Sequence, residues 1–397
     1  MEKRDCNNPV RSQVFNLPDM ADGPLEECFG SCLKDMMETE EIINARRIIL
    51  TGTGDSYAAA IAIAPVIARY GEKVDVQVMR TIEFTRFLLK EEAYIDDTNK
   101  MLVVVISAGG STSRVIEALE KADKIGAYSV LITGKAESPA ARVAKKVYVM
   151  KTPPLPPSDT PGLCSYFASE LGLIALAFCI GCIQGTIKKS SSGVLKTAIR
   201  EYVKSFEGEV LNRIDEQMFR IAEKWKNFER FEFIGDEAEY GSAFFGGAKF
   251  LECNGCNVSV DDAEDWCHVN YFLREPETIG TVIMADKNAP SFSRIMETID
   301  SATYIGRPVL IVTNNADNVF GNNNEICILP DTPEGFEWLM PLMDFVPAAI
   351  LAGYITVLSG EPFFRRFRLP EYTPITDTPF ANRECFTFSN SRIEIYV

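Results

Sequence analysis

The chain has 397 residues, 46% hydrophobic and 24% charged, with a formal net charge of −16. That length exceeds one ordinary core, so two domains are expected, and the composition is that of a folded protein rather than a disordered one. So acidic a surface repels phosphate backbones and anionic lipid, which argues against nucleic acid or a membrane surface as partner.

No apolar leader follows Met1. The eleven cysteines are odd in number and scattered through apolar segments (Cys164, Cys179, Cys182, Cys327). Free thiols in a reducing compartment fit this pattern better than a disulfide framework, so a cytoplasmic location is expected. The longest apolar run, Leu171 to Ile183, is short of the ~20 residues a bilayer needs and reads as part of a buried helix over 167–183.

In chain order, Arg47 to Leu50 is a β-type run ending in Thr51-Gly52-Thr53-Gly54-Asp55-Ser56, and an alanine-rich helix spans 57–70. Met101 to Ile106 predicts a second strand, ending in Ser107-Ala108-Gly109-Gly110-Ser111-Thr112-Ser113. A helix over 115–125 follows, Gly126 stands beyond it as a C′ residue, and 128–132 is a third strand. Alternating strands and helices indicate βαβ units and a parallel sheet. The Pro-rich run 152–157 can be neither helix nor central strand and reads as a loop on the ligand-binding side, while Lys188 to Gly193 reads as a linker.

The rhythm then repeats: a strand over 231–234, a helix over 241–252, a strand over 279–285, a helix over 291–304 and a strand over 308–312. Corresponding strands lie roughly 180 residues apart, an internal duplication of whole domains. The expected division is an N-terminal domain over 1–190, a second over 191–360, and a tail over 361–397 whose β-like end packs back on the body.

The two polar loops of the first half each leave a strand and open a helix, the edge at which open α/β sheets bind ligands. Helix N-termini there favour anions, and Gly54, Ser56, Ser107, Gly109, Gly110, Ser111, Thr112 and Ser113 would let a phosphate approach and donate to it. No Gly-Lys-Ser/Thr follows at P-loop spacing, and Tyr57 stands where a dinucleotide fingerprint has its third glycine. Read alone, either loop is equally an ordinary tight turn with a serine cap.

Gly52-Thr53-Gly54-Asp55-Ser56-Tyr57-Ala58-Ala59 and Ile106-Ser107-Ala108-Gly109-Gly110-Ser111-Thr112 resemble the two phosphate-side loops of the SIS family, the tandem sugar-isomerase fold. That fold occurs in the isomerase half of glutamine:fructose-6-phosphate amidotransferase and in stand-alone sugar-phosphate deaminases and deglycases. Gly109 replaces the family's second serine, for which Ser111 or Ser113 can substitute. In the second half, Gly246 to Glu252 resembles the family's G-A-x-K-x-x-E helix, and His268, the only histidine, follows Glu252 by sixteen residues.

The resemblance implies two tandem flavodoxin-like, parallel-sheet α/β sandwich domains. It implies a catalytic set of Glu252, His268 and Lys249, with Glu252 carrying a proton between C1 and C2 and His268 serving the pocket of a neighbouring subunit in a homodimer. Arg392, before the β-like end, matches a basic residue that the family's tail brings to the phosphorylated sugar. The family's Gly-Pro after the histidine is replaced by Val269-Asn270.

No cofactor is implied. Cys253-x2-Cys256 with Cys267-His268 imitates a zinc spacing, but Cys253 directly follows Glu252 on the predicted helix and the family uses no metal, so none is expected. The expected function is an amino-sugar- or fructosamine-6-phosphate deaminase or deglycase. An aldose–ketose isomerase is the nearest alternative, and a sugar-phosphate-binding regulator the non-catalytic one.

Overall fold

The computed structural model describes residues 2–88, 101–153, 160–317, 319–321, 324–363 and 391–396. They divide into two compact units. One takes residues 20–88, 101–153, 165–197 and 391–396, and the other 2–19, 160–164 and 198–363.

In the first unit, β1 (Arg47–Gly52), β2 (Asp75–Arg80), β3 (Met101–Ile106), β4 (Tyr128–Thr133) and β5 (Lys146–Val149) form one all-parallel sheet in the order β2-β1-β3-β4-β5. The central strands are continuous apolar runs because both faces are covered, and every residue of β3 is buried. The edge strands read differently: β2 is Asp-Val-Gln-Val-Met-Arg and β5 is Lys-Val-Tyr-Val, alternating and largely half-buried. Sequence reasoning placed the three central strands and missed both edges.

In the second unit, β6 (Arg230–Ile234), β7 (Asn257–Asp261), β8 (Ile279–Ala285), β9 (Val309–Thr313) and β10 (Glu325–Ile328) pair in parallel in the order β10-β9-β8-β6-β7. Numbered from its own first strand, each sheet has the order 2-1-3-4-5, the flavodoxin-like doubly wound arrangement. The duplication therefore extends to all five strands of each unit.

The apolar helix runs over Cys164–Gln184, longer than the predicted 167–183. It and the stretch Glu337–Ser359 are long and apolar enough to cross a bilayer by length and composition, and their most apolar windows are 89% and 83% buried inside the protein. Gly172 lets the first of them approach Ile132 and Met150, whose side chains would lie 3.0 Å from a Cβ there. The run expected to be a linker is a 3-10 turn, Lys189–Ser191, leading directly into the helix Ser192–Lys204.

The tail's end differs from expectation. Residues 392–396 form no strand, and side chains of the first unit bond two of their backbone groups. The Glu394 N–H donates to the buried Glu117 carboxylate at 2.9 Å, and Arg114 donates to the Arg392 carbonyl. Arg86 pairs with both Glu117 and Glu394, so residues 391–396 do pack back on the first unit. The Pro-rich loop lies mostly outside the described residues.

Candidate active site

In the first unit the two polar loops leave β1 and β3, which are neighbours in the sheet. Chain order reverses between these strands, and this is where doubly wound sheets leave a crevice. Gly54, at φ 56°, opens the helix Asp55–Tyr70, and Ser56 lies buried in its first turn. In the second loop the Gly110 N–H donates to Ser107 Oγ at 3.2 Å, so this buried hydroxyl closes the turn. Gly110 has φ +63°, and a Cβ there would collide with Ser138.

Thr112 begins the helix Ser113–Lys124 without a side-chain cap. Gly109 and Ser111 are exposed, Thr112 is half-buried and Ser113 is buried. Of the two serines that could replace the hydroxyl absent at Gly109, Ser111 is therefore the one open to a ligand.

One residue at this edge escaped the sequence reading. Arg80 ends β2 beside Gly52 of β1, and its guanidinium lies 4.6 Å from the centroid of the Tyr57 ring. It supplies positive charge beside the first turn of the helix Asp55–Tyr70, on a chain that is acidic overall. The signal that would have found it is β2 itself. Arg392 is exposed and pairs with Glu394 at 3.2 Å.

In the second unit the helix Ala238–Asn254 follows β6 and packs closely on the sheet, with Gly246 and Gly247 against Phe233. Its last turns carry Lys249 and Glu252. Lys249 Nζ lies 2.5 Å from Glu252 Oε2; the lysine side chain is 0% exposed and the glutamate's 33%. The ammonium also lies 4.6 Å from the centroid of the Phe245 ring. This is not a solvated surface pair: a buried cation holds a carboxylate that solvent or substrate can reach.

His268 ends the short helix Ala263–His268, which Asp262 caps through bonds from the Glu264 and Asp265 N–H groups. Its ring is 67% exposed and bonds Glu264 Oε1 at 2.8 Å through Nε2, rather than Glu252. Glu264, also exposed, forms an ion pair with Arg294, whose Nε lies 2.7 Å from its second oxygen. The position of His268 is nonetheless fixed. Trp266 is buried and donates to Glu232 at 3.0 Å, while Arg307 donates to the Asn270 carbonyl at 2.9 Å.

Cys253 is buried in the helix, and among the described residues no three His, Cys, Asp or Glu side chains converge as a metal site. The ten described cysteines are free thiols.

Residues 41–178 match the family described as SIS domain, bearing out the resemblance read from the loops. The chain is 24% identical over 332 residues to glutamine–fructose-6-phosphate aminotransferase [isomerizing] of Thermococcus kodakarensis, covering 81% of this chain and 51% of the relative. With the Pyrococcus horikoshii protein of the same name it is 26% identical over 368 residues, 91% of this chain and 56% of the relative. It thus spans about half the length of the curated relatives it matches.

Among solved structures, the C-terminal domain of glucosamine-fructose-6-phosphate aminotransferase from Francisella tularensis superposes with a TM-score of 0.77 at 16% identity, over 91% of this chain and 98% of that one. Glucosamine-6-phosphate deaminase from Thermotoga maritima gives 0.62 at 16% identity, over 90% and 97%. Tagatose-6-phosphate ketose/aldose isomerase from Escherichia coli gives 0.68 at 14%, over 92% and 97%. Coverage of this extent carries the likeness of fold across both sheets.

Proposed function

We propose that the chain is an amino-sugar- or fructosamine-6-phosphate deaminase or deglycase. The observation that carries this reading is the buried Lys249 holding Glu252 at 2.5 Å, on the spacing to His268 that the resemblance assigns to proton transfer. Names of relatives that act on glucosamine and hexose 6-phosphates support the substrate class.

In this reading the loops after β1 and β3 hold the phosphate, through the helix N-termini, Ser111, Thr112 and Arg80. A ring-opened 2-amino aldose phosphate loses its C2 proton to Glu252, and the electron pair moves into the C1–C2 bond as O1 takes a proton. Return of the Glu252 proton to C1 leaves an imine at C2 and an aldehyde reduced to alcohol at C1, an internal redox exchange. Water adds to C2 and ammonia leaves, giving the ketose phosphate. An adduct bearing nitrogen at C1 runs the shuttle the other way, from C1 to C2, and releases the amine and an aldose phosphate. Lys249 offsets the negative charge of the enol-like intermediate.

His268 carries the ring-opening proton, acting in the site of a second copy in a cytoplasmic homodimer. Its 67% exposure and the exposed apolar residues that follow it, Val269 and Phe272, suit that role. The same shuttle without C–N cleavage makes an aldose–ketose isomerase, and Gly109 in place of a phosphate-binding serine keeps a binding-only regulator as the second reading.

The test is a thermal-shift and turnover screen of wild type and Glu252→Gln against 6-phosphorylated sugars, amino sugars and fructose–amine adducts. A ligand that stabilises both proteins and is turned over only by wild type upholds the enzyme. Release of ammonia or amine separates deaminase or deglycase from isomerase. Binding without turnover by either protein would give the regulator.

A further inference from the structure

Both oxygens of the Glu264 carboxylate are engaged. Oε1 accepts from His268 Nε2 at 2.8 Å, and Arg294 Nε lies 2.7 Å from Oε2. Arg294 is itself held by Glu297, one turn along the helix Phe292–Tyr304, to which its Nη1 donates at 2.9 Å. The short helix that carries Glu264 and His268 is pinned from two sides. The Ala263 N–H donates to Asp236 Oδ1 at 2.9 Å, just beyond β6, and the Ala263 carbonyl accepts from Thr298 Oγ1 at 3.1 Å, on the helix of Arg294. An ion pair as exposed as Glu264 and His268 adds little to stability, so its consequence lies in the imidazole rather than in the fold.

A carboxylate accepts and cannot donate, and the His268 ring and the Arg294 charge hold the Glu264 carboxyl below its ordinary value. Facing that acceptor, Nε2 carries the proton of the neutral imidazole, and Nδ1 is left with the lone pair. One nitrogen is fixed as the donor and the other is freed to act as a base.

We propose, on the ring-opening role given to His268 above, that Glu264 is a positioning residue. It holds His268 as the Nε2–H tautomer so that Nδ1 moves the proton that opens the sugar ring. Nδ1 takes the proton of the anomeric hydroxyl as the C1–O1 double bond forms. The C1–O5 bond breaks with its electron pair going to O5, and Nδ1 returns the proton there. The imidazolium formed in between lies against the Glu264 carboxylate, which stabilises it.

His268 is the only histidine, so nitrogen NMR of histidine-labelled protein reads this one ring in the full chain. At a pH where the ring is neutral, wild type is expected to show the Nε2–H tautomer, and Glu264→Ala a mixture of both. Ring opening is read apart from turnover in Glu252→Gln, as the rate at which the α and β anomers of glucosamine 6-phosphate and of glucose 6-phosphate exchange. Glu252→Gln is expected to speed this exchange over the uncatalysed rate. Adding Glu264→Ala should slow it at least about tenfold with the melting temperature unchanged, and Glu264→Gln, which keeps an acceptor oxygen, should slow it less. The Nδ1–H tautomer in wild type would overturn the proposal, as would catalysed exchange that Glu264→Ala leaves unaltered. Absence of catalysed exchange, or exchange that survives His268→Asn, would overturn the ring-opening role of His268 and this inference with it.

Discussion

Trp266 donates its indole N–H to Glu232 at 3.0 Å, tying the residue two before His268 to a carboxylate on β6. Arg307 completes the mount from the other side. Its Nε faces the same Glu232 oxygen at 3.3 Å, and its NH2 donates to the carbonyl of Asn270, two residues after the histidine. Burial pushes the Glu232 carboxyl up, and the Arg307 charge opposes that rise. The exposed histidine is thus carried on a turn that a buried ion pair anchors.

Arg307→Met is therefore expected to cost about 3–5 kcal/mol, because it leaves Glu232 charged and buried without its cation. Adding Glu232→Gln, which removes the charge and keeps an oxygen for the Trp266 N–H, should recover most of that loss. Urea midpoints of the single and double variants check this; if Arg307→Met is as stable as wild type, the ion pair does not hold the turn.

The second loop makes opposite predictions for adjacent glycines. Gly110 combines φ +63° with no room for a Cβ against Ser138, so Gly110→Ala is expected to distort the loop and raise KM for a phosphorylated ligand at least about tenfold. Among the described residues a Cβ at Gly109 would meet only Ser111 Oγ, at an ordinary 3.9 Å. Gly109→Ser should fold normally and lower KM by restoring a hydroxyl. Measuring KM for both against wild type decides; equal effects would mean that the loop does not hold the phosphate.

How much of this was legible in the sequence follows the physics of burial. Strands covered on both faces, such as β3 and β8, are unbroken apolar runs and were placed almost to the residue. Edge strands β2, β5, β7 and β10 are short and half polar, since one side faces water, and periodicity over four to six residues does not separate them from loops. The spacing of Lys249, Glu252 and His268 was readable, but not that Lys249 is fully buried or that His268 faces outward to Glu264. Those depend on which helix face meets the sheet and on residues far along the chain. Glu232 and Arg307, 75 positions apart, gave no sign of their pairing.

Arg80 is a consequence of the missed β2. Standing beside Gly52, it is expected to add to phosphate affinity without touching the reacting carbons. Arg80→Gln should raise KM for a 6-phosphorylated sugar about tenfold and leave kcat within about twofold. A fall in kcat with unchanged KM would move Arg80 out of the phosphate site.

At the carboxyl edge of the second sheet, Glu239, Asp286 and Asp344 occupy the position that the polar loops hold in the first unit. Asp344 is 1% exposed, and the Ser242 hydroxyl and the Phe345 N–H beside it offset only part of the effect of burial. Burial, with the Asp286 charge adding to it, pushes its carboxyl from near 3.8 up to about 8. Glu239 is raised well above its ordinary value by burial and then by the charges of Asp344 and Asp286.

A carboxyl raised in the folded state keeps a proton that the unfolded chain gives up. Its contribution is then fully present below the unfolded value and is lost as pH climbs toward the folded one. Between about pH 4 and 8 the protein should therefore lose stability from Asp344 at up to ~1.4 kcal/mol per pH unit. Asp344→Asn keeps the shape and removes the proton, so its stability should fall less steeply with pH than that of wild type. Urea unfolding at intervals from pH 5 to 8 reads both slopes, and parallel curves would mean that Asp344 is already ionised in the folded protein at pH 5.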